Sequence, residues 1–570
     1  MDKKTKMKFN ILAIFIILIF CFALTPKTLQ NDTYYTIAIG EHILENGIDM
    51  QSDPFSWHED LPYTYPHWAY DVATYLVFQL GESIGIGGFT AIYITTAILS
   101  MALGVLIYLA LKRICKNQLV AFFITMGMMY LMKDFICARA QLVTYILFVL
   151  TVLFIENFIE TKKKGYLLGL IIIPIIIANV HLAVWPFYFV LYLPYIVEYI
   201  LAVIADSDFY YRSAIALNKR RIKRLTLKNK EPEKIKKLTQ KIDKLQEEKE
   251  RLDVKREKRR ENPYKIILRK EPCVKYLILI MIICIFTGFL TPLGTTPFTY
   301  LPKTMEGNTM DSISEHLPLT LINDIETLTV LVLFLLILIF TDTKIKLRDL
   351  FMLAGLVLMA FMSRRQVSMF VLIGGFIFAK LLVGLINKYD KNGTEQAIKV
   401  ITTWYGKIIA ILLGILISFT FYDGKPNSPI VSTSSYPVKA CDYILENVDV
   451  ENMRVFNEYN YGSYMLYRGI PVFIDSRADL YTPQFNGTKG EDGKYRGKDI
   501  FSDYINTTNI STYYETTFEK YDITHVLIKD NSKLNMFLKR DEEHYKKLYE
   551  DDNFVFYERI PEQDWRKRIL

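Results

Sequence analysis

AIYITTAILSMALGVLIYLAL, residues 91–111, contains no charged side chain. At about 1.5 Å of rise per residue, a helix of that length covers the roughly 30 Å hydrocarbon core of a bilayer. The same apolar character recurs at Ile11–Leu24, Leu142–Ile159, Leu182–Ala205, Leu328–Phe340, Gln366–Ile386 and Ile408–Phe421. The shorter of these reach spanning length only with their weaker flanks. Over 570 residues the chain is 51% hydrophobic and 14% aromatic, with a mean hydropathy of +0.18, a combination that a soluble globular protein rarely shows. The expected fold class is a polytopic α-helical membrane protein.

About eleven spans are expected, near residues 9–25, 86–111, 119–133, 141–159, 166–180, 182–205, 274–291, 325–341, 347–361, 366–387 and 403–421. Short loops on the cytoplasmic side carry an excess of Lys and Arg, which tests the assignment. With the N-terminus inside, the inner loops are Lys112-Arg113, Lys162-Lys163-Lys164, the long 206–272 insert, Lys344 to Arg348, and Lys388 to Lys399, and all are basic. The loops at 26–85, 133–140, 178–182, 292–324 and 362–366, and everything after about 422, fall outside and are mixed or acidic apart from short Arg-bearing corners. The formal charge of +8 therefore needs no nucleic-acid partner. A basic start followed by an apolar run reads as a retained signal anchor rather than a cleaved signal peptide. Segment 68–82, apolar but short, is expected as a re-entrant or interfacial helix.

The 206–272 insert is strongly basic, with apolar residues at heptad spacing (Ile235, Leu238, Ile242, Leu245, Leu252) between Pro232 and Pro263. That spacing predicts a helical hairpin arm or short coiled coil about 45 Å long. It reads either as a docking arm for anionic lipid or a partner protein, or as a solvated helix that enforces topology. The composition after residue 423 is that of an ordinary soluble domain. Strand-like runs (Met453–Phe456, Pro471–Ile474, His525–Ile528, Phe554–Tyr557) alternate with helical stretches (Pro437–Asn447, Tyr461–Tyr467, Lys533–Arg540), which predicts a small extracytoplasmic α/β domain over 424–570. The other divisions are an N-terminal transmembrane module (1–205) with a large first outer loop (26–85), the insert (206–272) and a second transmembrane module (273–423). Six cysteines (Cys21, Cys115, Cys137, Cys273, Cys284, Cys441) show no C-x-x-C spacing, so neither a zinc site nor a disulfide framework is indicated. Cys137 and Cys441 fall on one side, where a bridge is allowed.

Polar residues collect at the outer face. Asp32 stands at the mouth of the first span, either as a general base or as the cap of an amphipathic helix. Arg139, Asn179, His181, Glu315, His316, Arg364 and Arg365 lie in turns between spans. Each alone reads as an interfacial anchor. Together they suit a pocket in which cations neutralise a phosphate and a carboxylate takes a proton. In the outer segment Asp475, Arg477 and Asp479 follow a strand-like run, as binding residues or as an internal ion pair.

The opening Asp32-Thr33-Tyr34-Tyr35, Ile43-Leu44-Glu45-Asn46-Gly47 and Ser52-Asp53-Pro54-Phe55-Ser56-Trp57 resembles the first outer loop of bacterial GT-C-type membrane glycosyltransferases, which use polyprenyl-phosphate-linked sugars. Arg139, Ala178-Asn179-Val180-His181, Glu315 and Ser363-Arg364-Arg365 follow in the order this resemblance implies. Asn457–Tyr464 and Val472–Tyr481 are similar to the C-terminal domain of the same group. Tyr34-Tyr35, Ala140 and His67-Trp68 depart from its pattern. The resemblance implies a GT-C-like fold and inverting sugar transfer to a cell-envelope glycan or protein at the outer face of a bacterial plasma membrane. Asp32 would deprotonate the acceptor. Arg139, His181, Arg364 and Arg365 would stabilise the departing phosphate. Asp53 or Glu315 would position sugar hydroxyls or a divalent cation. A non-enzymatic envelope protein presenting a binding domain is one alternative, and a lipid-linked glycan transporter or ligase is another. A transporter would carry ionisable residues at mid-span and internal repeats. An anchor would have no enclosed pocket joining Asp32 to Arg139 and Arg364.

Overall fold

The computed structural model describes residues 2–560 apart from 228–231, 262, 308, 310–312, 314, 321, 323 and 391. The membrane part runs α1 (Lys3–Leu24), α2 (Asn31–Asn46), α3 (Trp68–Ser83), α4 (Gly88–Cys115), α5 (Gln118–Leu131), α6 (Ala140–Thr161), α7 (Gly165–Val180), α8 (Trp185–Val190) and α9 (Leu193–Ala205). The insert forms α10 (Phe209–Leu227) and α11 (Pro232–Glu261). The chain continues through α12 (Val274–Ile285), α13 (Thr296–Glu306), α14 (Ile325–Phe340), α15 (Leu347–Met362), α16 (Val367–Tyr389), α17 (Gly393–Ile401) and α18 (Trp404–Tyr422).

All eleven segments expected to span are helical. Six stretches are long and apolar enough to cross a membrane on their own, and four further apolar helices are shorter. The expected single span at 182–205 is broken. A 3-10 turn at Leu182–Val184, α8 and α9 follow one another, with Pro186 and Pro194 in the first turns of the two helices. Proline lacks the N–H that would bond back into the preceding turn, so it starts a helix well and interrupts one badly. The insert is the expected hairpin. Ile242 and Leu245 face α10 and are buried, and the base is closed by Arg256–Asp208 (2.8 Å) and Arg260–Asp206 ion pairs.

One feature of the membrane part lies outside the sequence reading. Glu156 of α6, Lys380 of α16, and Asp349 and Arg348 of α15 form a buried chain, with Lys380 Nζ 2.9 Å from Glu156 and 3.1 Å from Asp349. Arg348 reaches Glu156 at 3.3 Å and stacks over Tyr195. The charges are paired and tie three helices at the end of α6 remote from Arg139, with Glu156 and Lys380 inside the expected spans 141–159 and 366–387.

After α18 come α19 (Val438–Asn447) and α20 (Tyr459–Tyr467), then a four-stranded sheet in the order Val455–Phe456, His525–Lys529, Phe554–Arg559, Tyr545–Glu550. Its first pair is parallel and the other two are antiparallel. Pro471–Ile474 is not one of its strands. It makes a single bridge, Val472 to Ser56, because its partner is the first outer loop rather than the sheet. Tyr545–Glu550 is a strand that the sequence pattern passes over, since its alternation is diluted by Lys546 and Lys547.

The first outer loop and the C-terminal segment share one hydrophobic core, with Tyr34 and Tyr65 packed in the same cluster as Tyr461, Phe473 and Phe554. Backbone and side-chain bonds stitch the two together. Leu29 N–H donates to Ile430 O (2.9 Å), Trp57 Nε1 donates to Val455 O (3.0 Å), and Asn31 Nδ2 donates to Tyr459 O (3.0 Å). Within the loop, α2 and α3 cross in backbone contact at Gly40, where a Cβ would run into the carbonyl oxygen of Asp71. Gly40→Val should therefore lower stability by about 3 kcal/mol through overpacking, read as a fall in the thermal midpoint of the detergent-solubilised protein. An unchanged midpoint would mean that the crossing is looser than this geometry. The six cysteines are all free and buried, Cys137 and Cys441 included.

Candidate functional site

Asp32 sits in the first turn of α2, but it is not the helix cap. The cap position belongs to Gln30, whose side chain makes no capping bond. The Asp32 carboxylate instead forms a close ion pair with Arg139, the residue that opens α6. Arg139 Nη1 also reaches both carboxylate oxygens of Glu315, at 3.3 and 3.4 Å. One guanidinium is thus held between carboxylates from residues far apart in the chain. Burial opposes ionisation of Glu315, but Arg139 and Arg365 outweigh it and hold the carboxyl below its usual range.

The turn between α15 and α16 is fastened to this loop. Arg365 N–H donates to Glu315 O (3.0 Å), and Arg364 N–H donates to Leu317 O (2.9 Å). The side chain of Arg365 points into the site, where the Gln141 amide oxygen, turned toward it, accepts from Nε at 3.0 Å. These groups line a cavity of about 470 Å³ that also includes His67, His181, Tyr300, Tyr459 and Asp479. Arg364 is not among its lining residues.

His181 lies almost fully buried at the end of α7, with Nδ1 3.0 Å from Thr144 Oγ1 and its ring 5.0 Å from that of His67. Burial, reinforced by Arg365 and Arg139, pushes the His67 imidazole down to about 3 and His181 well below its ordinary value. Both rings are neutral at physiological pH. The unfolded chain binds these protons near pH 6.5 and the folded chain does not, so their contribution to stability is full above that value. The thermal midpoint should fall as the pH drops from about 6.5 toward 3, and His67→Gln should flatten that fall. An identical pH profile in the variant would exclude the imidazole as the cause.

The C-terminal segment contributes Asp479. Its Oδ2 accepts from Tyr300 Oη (2.7 Å) and from Thr304 Oγ1 (3.3 Å), both on α13. Burial raises this carboxyl above its ordinary value, partly offset by those two donors.

Asp53 and Asp475 have a different place. Arg477 Nη2 lies 3.1 Å from Asp53 Oδ2 and 2.7 Å from Asp475 Oδ2, Nε lies 2.9 Å from Asp475 Oδ1, and Nη1 closes a further short bond to Asp53. Tyr481 Oη donates to Asp475 at 2.6 Å. The two carboxylate side chains are 0% exposed, and Arg477, which borders the cavity, is 3% exposed with its guanidinium engaged by both carboxylates. Neither Asp53 nor Asp475 lines the cavity. The internal pair Asp475–Arg477 is one half of a clasp whose other half, Asp53, comes from the first outer loop.

Among the described residues no group of three His, Cys, Asp or Glu side chains converges as metal ligands. A divalent cation bridging Asp32 and Glu315 would have to displace the Arg139 guanidinium. Tyr300, Thr304, Gln141 and Tyr459 are cavity residues that sequence reasoning did not single out. Tyr300, Thr304 and Gln141 carry no motif, Tyr459 lies inside the Asn457–Tyr464 stretch, and only the tertiary packing brings the four together.

No protein-family model and no curated protein sequence matches the chain. Solved structures do. The Archaeoglobus fulgidus oligosaccharyltransferase AglB, in complex with an inhibitory peptide and a dolichol-phosphate, superimposes with a TM-score of 0.54 at 12% identity, covering 97% of this chain and 75% of that one. The apo form of the Archaeoglobus fulgidus oligosaccharyltransferase gives 0.53 at 11% identity, over 98% and 75%. The chain has the fold of a membrane oligosaccharyltransferase. The likeness extends over nearly the whole chain, C-terminal segment included.

Proposed function

We propose that the chain is a membrane glycosyltransferase that takes a sugar from a polyprenyl-phosphate donor and passes it to a cell-envelope glycan or protein on the outer face of a bacterial plasma membrane. The observation that carries this reading is the cavity in which Asp32, Arg139, Glu315 and Arg365 converge between the membrane helices and the C-terminal segment. A non-catalytic anchor has no use for such an enclosure. The shared fold adds to it, since AglB was solved with a dolichol-phosphate and a peptide bound. The basic loops on one side support the orientation with the N-terminus inside.

In this reading an acceptor hydroxyl or amide attacks the anomeric carbon while Asp32 removes its proton. The bond from the anomeric carbon to the donor phosphate oxygen breaks, and its electron pair leaves with the phosphate. Arg365 and Arg139 neutralise the charge that develops there. Asp479, held by Tyr300 and Thr304, offers its remaining carboxylate oxygen to a sugar or acceptor hydroxyl. Neutral His67 and His181 shape the wall without adding charge. Asp53, Asp475 and Arg477 hold the C-terminal segment to the first loop.

The test is incubation of purified protein with polyprenyl-phosphate sugars and an envelope extract, read as sugar transfer or donor hydrolysis. Turnover that disappears in Arg365→Gln supports the reading. Donor binding without turnover in the native protein, across hexosyl and pentosyl donors, would return the chain to the non-enzymatic alternative.

A further inference from the structure

The helical hairpin at the far end of α9 from His181 has no part in the cavity chemistry. Its two helices differ sharply in charge. α11 carries acidic and basic residues together, whereas α10 has Arg212, Lys219, Arg220, Arg221, Lys223 and Arg224 and not one Asp or Glu. Lys219, Arg220, Arg221, Lys223 and Arg224 are all exposed, and among the described residues none has a carboxylate within ion-pair distance. Large apolar side chains share that outer surface. Phe209 is 77% exposed, Leu217 51% and Leu227 78%, while Ile222 and Leu225 turn inward toward α11. At 100° per residue, Phe209, Arg220, Arg224 and Leu227 fall on one face of α10.

Exposed apolar groups interleaved with unpaired cations on one face match the pattern of an interfacial helix. The hairpin's position adds to this. α10 begins directly after the end of α9, and Asp206 and Asp208 pin α11 to that junction through Arg260, Arg256 and Lys249 (3.4 Å). The chain then returns by a short parallel pairing of Ile266–Ile267 with Ile345–Lys346. The base of the arm is therefore fixed at the end of α9 remote from the cavity, the side that the basic loops assign to the cytoplasm. A cluster of five lysines and arginines beside exposed apolar groups is the composition that adsorbs to anionic bilayers.

We propose that the outer face of α10 docks on the surface of a bilayer rich in anionic phospholipid, with Arg220, Arg221 and Arg224 on the phosphates and Leu217 at the headgroup boundary. The native cysteines are all buried, so a single surface cysteine can be labelled selectively. The experiment uses the full chain, Leu217→Cys, carrying an environment-sensitive fluorophore in nanodiscs of phosphatidylcholine with or without phosphatidylglycerol. The expected result is a blue-shifted label quenched about tenfold more by a lipid-borne quencher when phosphatidylglycerol is present. About 1 M salt, which shortens the screening length to about 3 Å, should abolish the difference. The same label in the R220E/R221E/R224E background should show no lipid dependence, with an unchanged helical circular-dichroism signal showing that the hairpin is folded, while a control label at Asp243→Cys on α11 stays in water throughout. A Leu217 label equally hydrated in both lipids overturns the proposal. So does saturable binding of an RNA oligonucleotide that protects the label regardless of lipid, which would assign the face to nucleic acid.

Discussion

Asp32→Asn should lower sugar transfer by about 10²–10⁴-fold, the usual worth of a positioned general base, while leaving membrane insertion and thermal stability nearly unchanged. Asparagine keeps the shape of aspartate and still offers Arg139 an acceptor oxygen. Glu315 continues to hold the other edge of the guanidinium at 3.3 Å, so Arg139 is not left unpaired. The loss is then chemical rather than structural, because an amide cannot take the acceptor's proton. Glu315→Gln is the comparison. It removes a charge from the same guanidinium but no proton acceptor at the reacting hydroxyl, and should weaken donor binding more than turnover. Initial rates across donor concentration separate the two. Full activity in Asp32→Asn would leave Asp32 as no more than the structural partner of Arg139.

Arg477→Met should be the most damaging single change to stability, at about 3–5 kcal/mol. The substitution leaves Asp53 and Asp475 facing each other with no cation and no water, since both side chains are fully buried. Methionine also gives up the contacts of the guanidinium with the rings of Phe55 and Tyr63 (5.3 and 4.8 Å). The C-terminal segment should then detach from the first outer loop, seen as rapid proteolysis after α18 and a large fall in the thermal midpoint. Asp53→Asn with Asp475→Asn in the same chain should recover much of the loss, because the cost lies in the stranded charges rather than in the missing pair. Recovery of sugar transfer in that triple variant would also confirm that none of the three residues touches substrate. If Arg477→Met melts like the native protein, the clasp is not what holds the segment in place.

These two arginines show how far linear reading reaches. Arg139 and Arg477 are equally visible in the sequence, each at the end of an apolar run. Both border the cavity, but Arg139 is 22% exposed whereas Arg477, 3% exposed, is closed in between two carboxylates, and nothing local distinguishes them. Arg477 is two residues from Asp475, which makes an internal pair readable, but Asp53 is 424 positions away. Asp32 is a similar case. Its place at the head of a helix favours a cap on local grounds, yet its carboxylate is drawn off to Arg139 across the site. Lys380 and Glu156 sit inside apolar runs where charge is costly, and only the helix packing brings them together.

The sequence by itself determined the membrane helices, the hairpin and the rough order of strands and helices after α18. Those follow from one-dimensional quantities: the length of an apolar run, heptad spacing, the alternation of side chains along a strand. It also collected Asp32, Arg139, His181, Glu315 and Arg365 on one side, because loop charge alternates with each crossing. Only the tertiary structure decided which of the polar residues face a cavity and which neutralise one another. That choice depends on helix crossings such as the one at Gly40, and on a C-terminal segment whose core is continuous with the first outer loop. A charge buried beside its counter-charge and a charge facing water have the same letter in the chain. They differ only in what the fold brings within about 4 Å of them.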